Sequence, residues 1–95
     1  MTAYVLVEME VTDPESYKAY GPLAQESVER HGGRFIVRGG ETEVYEGEWK
    51  PRIVVLEFES LDAVREWYHS DDYQECLPIR LAATDGRLVA VDGYA

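Results

Sequence analysis

The chain has 95 residues, 45% of them hydrophobic and 12% aromatic, which suits one domain and is too short for two ordinary cores. Nineteen acidic residues against nine basic ones give a formal charge of −10, which argues against a nucleic-acid backbone or an anionic membrane as partner. The one cysteine, Cys76, excludes an internal disulfide and a cysteine-rich metal site, and no apolar run approaches membrane-spanning length.

The opening "MTAYVLVEMEV" carries neither a basic leader nor a cleavage-like end, so a cytoplasmic protein is expected. Residues 3 to 11 alternate with period two. Ala3, Val5, Val7, Met9 and Val11 form an apolar face, and Tyr4, Leu6, Glu8 and Glu10 form a mixed one. This is the pattern of a strand with one side on a core. Asp13, Pro14 and Glu15 then supply an N-cap, a first helical position and an acidic first turn. Tyr17, Tyr20, Ala24, Val28 and His31 follow at helical spacing. Gly21-Pro22 predicts a kink or restart within the helix, and Gly32 predicts a left-handed C-cap at its end.

"RFIVR", residues 34–38, is the second strand, with Phe35 and Val37 on one face and Arg34, Ile36 and Arg38 on the other. Residues 42–46 are expected to pair as an extra strand or hairpin arm before Gly47 and Pro51 break it. The acids Glu41, Glu43, Glu46 and Glu48 read as a solvated edge. "RIVVLEFE" is the next strand, with Val54, Leu56 and Phe58 opposite Ile53, Val55, Glu57 and Glu59. Ser60 caps a helix with Leu61, Val64, Trp67 and Tyr68 on its inner face. Ser70 opens another, within which Pro78 is expected to start a last short piece, and residues 87 to 92 form the closing strand.

"VEMEVTDPESYKAY" and "LEFESLDAVREWY" echo one another: strand, Glu-apolar-Glu, capped helix start, aromatic-rich helix. Two such units, each followed by a strand, give a single ferredoxin-like βαββαβ domain over residues 1–95, an α+β fold with an antiparallel sheet and its helices on one face. Right-handed crossovers place the first and third core strands side by side in the centre, where a parallel pair is expected.

The face left uncovered would carry Tyr4, Leu6 and Glu8, then Ile53, Val55 and Glu57, with Arg34, Ile36 and Arg38 beside them. On the far side it would carry either Val89 and Val91 or Leu88 and Ala90. This face is too apolar for water, and a homodimer with two sheets face to face would cover it. Glu8 and Glu57 are expected to lie close there, with Arg34 or Arg38 one strand away. They would then be a catalytic pair, a carboxylate base with Arg38 holding an oxyanion, and Tyr4, Arg34, Arg38, Tyr45 and Trp49 would bind the ligand. The opposing reading makes the same charges an Arg-Glu network that stabilises the interface of a non-catalytic dimer. Trp49, in a polar loop, calls for a partner subunit to cover it. Trp67-Tyr68-His69 reads as core packing beside a solvated helix-end histidine, not as a haem site. His69-Ser70-Asp71-Asp72 reads as helix capping, not as a metal site, so no metal or cofactor is expected.

"VTDPESY", "HGGRFIVRGG", "EGEWKPRIVVLEF" and "SLDAVREWYHSDDYQ" resemble, in order and spacing, the family described as domain of unknown function 1330, of the dimeric α+β-barrel superfamily. The resemblance spans nearly the whole chain. It implies the ferredoxin-like fold and the face-to-face dimer, and it supplies no reaction, since the superfamily includes cofactor-free oxygenases, haem-degrading enzymes, an isomerase and ligand binders. Pro78 departs from the family pattern, in which the last helix runs on through that position. The function expected is the binding of a small aromatic or anionic molecule on the uncovered face, with cofactor-free oxygenase or isomerase chemistry.

Overall fold

A computed structural model describes residues 1–94. In chain order the elements are β1 (Ala3–Val11), α1 (Pro14–Tyr17), α2 (Tyr20–Arg30), β2 (Arg34–Arg38), β3 (Arg52–Phe58), α3 (Leu61–Tyr68), α4 (Asp71–Ala83) and β4 (Thr84–Asp92). The four strands form one sheet in the order β2-β3-β1-β4, the ferredoxin-like arrangement. Its centre differs from the expected parallel pair, because β1 and β3 run antiparallel. Each strand-helix-strand crossover restores the chain direction, whereas the β2–β3 connection reverses it, so β3 must oppose β1.

The first helical segment breaks after Tyr17 and restarts at Tyr20, which leaves Pro22 in the first turn of α2, where its missing N–H costs nothing. Asp13 caps α1 through the Ser16 N–H, Ser60 caps α3 through Ala63, and Ser70 caps α4 through Tyr73. Gly32 ends α2 at φ +78°, the left-handed value expected for it. Pro78 does not open a new piece. The helix is continuous from Asp71 to Ala83, with Pro78 on its exposed side. Residues 42–46 form no strand; the segment between β2 and β3 is a loop, exposed throughout but for half-buried Lys50, because its alternating glutamates leave it no apolar face to bury.

The core lies between the helices and one sheet face. Ala3, Val5, Val7 and Met9 pack there with Val54, Leu56 and Phe58, under Ala24, Val28, Val64, Trp67, Tyr73, Cys76 and Leu77. Trp67 is fully enclosed, with its Nε1–H donating to Ser27 Oγ at 3.1 Å. No helix among the described residues is long and apolar enough to cross a membrane.

Candidate functional site

On the uncovered face, strand register sorts the side chains into three rows. The middle row crosses all four strands as Val37, Val55, Leu6 and Val89. One flanking row runs Arg34, Glu57, Tyr4, Val91, and the other Ile53, Glu8, Arg87. Of the two expected sets on β4, it is thus Val89 and Val91 that face outward, while Leu88 and Ala90 pack against the core. Arg34 Nε donates to Glu57 at 2.8 Å, and Arg87 Nε donates to Glu8 at 2.7 Å. The two echoing Glu-apolar-Glu segments therefore build equivalent ion pairs at opposite corners of the sheet.

Glu8 and Glu57 are not a carboxylate pair. Glu8 stands opposite Ile53, and Glu57 lies four residues further along β3, about 13 Å away at the rise of a strand. The antiparallel pairing sets this separation. Glu8 is 9% exposed, and its second oxygen, Oε2, is buried without a hydrogen bond. Trp49 stands at the edge of this face, 58% exposed, over a depression of about 370 Å³ shared with Leu6, Glu8, Ile53, Arg87 and Val89. Tyr45 lies further out on the loop, with Val37, Trp49 and Ile53 around a second depression of about 510 Å³.

Arg38 is on the other face of the sheet. A β-bulge between Phe35 and Val37 shifts the register by one, so Val37 pairs with Val55 and Arg38 with Val54. An extra residue inverts every side chain that follows it. The bulge thus completes the apolar middle row with Val37. It also turns Arg38 toward the helices, where its guanidinium lies 4.2 Å from the Phe35 ring centroid and hydrogen-bonds Gln25. Of the sequence-predicted residues, Tyr4, Arg34, Glu57 and Glu8 share the uncovered face, Tyr45 and Trp49 border it, and Arg38 leaves it.

Arg38 instead lines a cavity between the helices and the sheet, with Tyr17, Tyr20, Phe35, Arg52, Trp67 and Arg80 as its other polar or aromatic walls. The cavity measures about 30 Å³, room for one or two waters. Six of the nine lysines and arginines stand within 4.0 Å of a carboxylate: Lys18, Arg30, Arg34, Lys50, Arg65 and Arg87. The other three are Arg38, Arg52 and Arg80. All three line this one cavity, and no acidic residue among the described residues lines it with them.

Arg80 is 5% exposed, and its Nε is buried without a hydrogen-bond partner; Arg52 Nε is likewise buried and unpartnered. Gly39, at φ +69°, lets the chain pass over Arg52, since a Cβ there would fall 2.1 Å from Arg52 Nη1. Beside Arg80, the Tyr20 and Tyr73 hydroxyls hydrogen-bond at 2.8 Å. Burial, reinforced by Tyr73, pushes the Tyr20 hydroxyl well above the usual phenol range. Burial also raises Tyr73, with Tyr20 and Arg80 pulling the other way. Both hydroxyls therefore stay protonated. The cavity presents hydrogen-bond donors and positive charge inside an apolar wall, which is the chemistry that anion recognition requires.

Sequence reasoning missed Arg52 and Arg80. For Arg80 a signal was present: Tyr73, Cys76, Leu77, Arg80 and Ala83 repeat at helical spacing, and all five are buried. A charge within an apolar stripe marks a group that needs a partner.

The family described as Domain of unknown function (DUF1330) matches residues 2–94. No curated protein matches the chain. Among solved structures, the RPA0582 protein of unknown function from Rhodopseudomonas palustris is similar at 23% identity and a TM-score of 0.79, over 99% of this chain and 83% of that one. SnoaB, a cofactor-independent oxygenase from Streptomyces nogalater, is 13% identical with a TM-score of 0.68, over 99% and 94%. A dimeric ferredoxin-like protein of unknown function from Thermobifida fusca is 15% identical with a TM-score of 0.63, over 96% and 90%. At these identities the likeness is one of fold.

Proposed function

We propose, on the premise that this chain belongs to the domain of unknown function 1330 family, that it is a homodimer holding a small organic anion in the helix–sheet cavity of each subunit. The observation that carries this reading is the distribution of positive charge. In a chain of formal charge −10, the three arginines without a carboxylate partner among the described residues converge on one cavity, with Arg38 at its mouth. Arg80 is buried and Arg52 Nε is buried without a partner; holding these groups without a counter-charge costs stability, and a bound anion offsets that cost. As its walls stand, the cavity takes only water, so a ligand enters by displacing them. The break between Tyr17 and Tyr20 is the weakest wall, since α1 is four residues long and contributes no buried side chain.

The uncovered face is the proposed dimer surface, with a second copy as its occupant. Its apolar middle row is flanked by Arg34–Glu57 and Arg87–Glu8 at opposite corners, so the pattern is its own complement under a two-fold rotation. The dimeric Thermobifida fusca neighbour supports this reading. On this face the closed ion pairs favour the interface-stabilising role over catalysis. Glu8 and Glu57 are separated from the cavity by the sheet itself, so neither serves as a base for a ligand bound there. Cofactor-free oxygenation of the bound anion draws its support from the likeness to SnoaB, and oxygen uptake in the presence of that anion is its assay.

Calorimetric titration with benzoate tests the binding reading. Wild type should bind, and Arg80→Met should weaken binding at least tenfold, whereas Arg34→Gln, which alters only the uncovered face, should leave the affinity within about twofold. Loss of binding in Arg34→Gln with retention in Arg80→Met would return the site to the uncovered face.

A further inference from the structure

We infer that the ligand of this cavity enters already ionised, and that the cavity selects acids whose own chemistry makes them anions at the working pH. The inference rests on the anion-binding reading and deepens it by naming the ligand class. Proton abstraction needs an acceptor within reach of the acidic hydrogen. The walls come from every element packed around the cavity, and their titratable or charged members are few. They are Tyr17 on α1, Tyr20 on α2, Arg38 on β2, Arg52 on β3 and Arg80 on α4, while β1, α3 and β4 contribute Val7, Met9, Trp67 and Leu88. Tyr73 and Cys76, also on α4, stand behind them, with Tyr73 bonded to Tyr20 and the Cys76 thiol donating to the Tyr73 carbonyl at 3.2 Å. None of these is a carboxylate or a histidine. Guanidinium groups hold no free lone pair, and a buried phenol or thiol beside another hydroxyl keeps its proton. Burial moves Tyr20, Tyr73 and Cys76 in that direction.

The nineteen acids of the chain do not help, since none lines the space. A neutral acid entering would have to give its proton to a group already protonated or to water in an almost closed cavity. A preformed carboxylate, or the enolate or phenolate of a strongly acidic enol or phenol, needs no such transfer. The aromatic walls Tyr17, Tyr20, Phe35 and Trp67 suit a planar body on that charge. Any reaction in the cavity then begins from the bound anion, with no protein base.

The test compares benzoate, benzamide, 4-nitrophenol and phenol by titration calorimetry in buffers of different ionisation enthalpy, across neutral and mildly alkaline pH. Benzoate should bind without proton exchange, and benzamide should fail. The affinity for 4-nitrophenol should rise through that phenol's own pKa and then level off. Phenol at pH 7 should bind roughly a thousandfold more weakly than its anion, which is the fraction ionised for a group with a pKa near 10. Benzoate binding with no phenol bound narrows the class to carboxylates and agrees with the inference. If phenol binds comparably to 4-nitrophenol at neutral pH and transfers its proton to the protein, the inference is overturned while the anion site stands. If benzoate and benzamide bind equally, or neither binds, the anion site itself falls.

Discussion

Replacing Arg80 with methionine should make the protein more stable and at the same time weaken anion binding at least tenfold. Arg80 is 5% exposed, makes no ion pair and leaves Nε buried without an acceptor. An unsatisfied buried donor costs about 1–3 kcal/mol, and the retained charge adds a desolvation cost. Methionine matches the stem of arginine, removes both costs and can fill the space with its flexible thioether. The expected gain is therefore about 1–3 kcal/mol in urea denaturation at fixed protein concentration, or about 4–8 °C in Tm for each kcal/mol in a chain of this size. Benzoate gives an independent readout. At a hundred times the wild-type Kd it should stabilise wild type by about 2.7 kcal/mol and Arg80→Met by no more than about 1.4 kcal/mol. If Arg80→Met instead lost more than about 1 kcal/mol and responded to benzoate as fully as wild type, Arg80 would be a satisfied structural residue and the reasoning would be refuted.

Tyr20 links stability to alkaline pH. Its folded pKa lies above the unfolded value, so its contribution is fully present below about pH 10 and is lost as the unfolded chain ionises above that. The slope approaches about 1.4 kcal/mol per pH unit for one tyrosine once the unfolded phenol is mostly ionised, and urea midpoints between about pH 10 and 12 should show it in wild type and show it reduced in Tyr20→Phe. Gly39→Ala should destabilise by about 1–3 kcal/mol, because it places a Cβ at φ +69° and against Arg52. The same variant should weaken benzoate binding, and a thermal melt unchanged from wild type would refute the contact. Val55→Asp sets a charge in the centre of the apolar row, and sedimentation should show a monomer; a dimer that persists would move the interface elsewhere.

The two halves of the fold were legible because local signals agreed with the global arrangement. The repeated Glu-apolar-Glu before a capped helix marks both strand–helix units, and Ser60, Ser70 and Gly32 sit where their caps require. Period two assigned the faces of β1 and β3 correctly, since both are regular throughout their pairing. It failed in β2, where the bulge leaves no mark: "RFIVR" has no glycine or proline to announce an extra residue. That single insertion moved Arg38 from the expected site on one face to the cavity on the other. The distance between Glu8 and Glu57 depends on strand direction and register together, which no single strand encodes. Arg52 gave no signal because it opens β3 as an ordinary half-buried residue, and the close approach of Gly39 to its guanidinium is set by the loop and not by β3.

The overall charge and the site oppose one another, and this has a kinetic consequence. Long-range fields act on the rate of encounter, whereas contacts within the cavity act on the rate of escape. An anion approaching a chain of formal charge −10 is repelled at a distance, and it meets positive charge only at the mouth, where Arg38 is exposed. Salt screens the distant acids first, because at 0.1 M charges beyond about 10 Å are largely hidden, while the cavity walls shield Arg80. The association rate of benzoate should therefore rise about two- to threefold between about 0.01 and 0.1 M salt, with the dissociation rate little changed. Stopped-flow quenching of Trp67, which lines the cavity, reads both rates. A binding surface on the exterior, where each basic group stands beside its carboxylate, would show no such acceleration confined to the on-rate. An association rate that fell with salt would mean that the arginines steer the ligand from solution, which three groups set against nineteen acids should be unable to do.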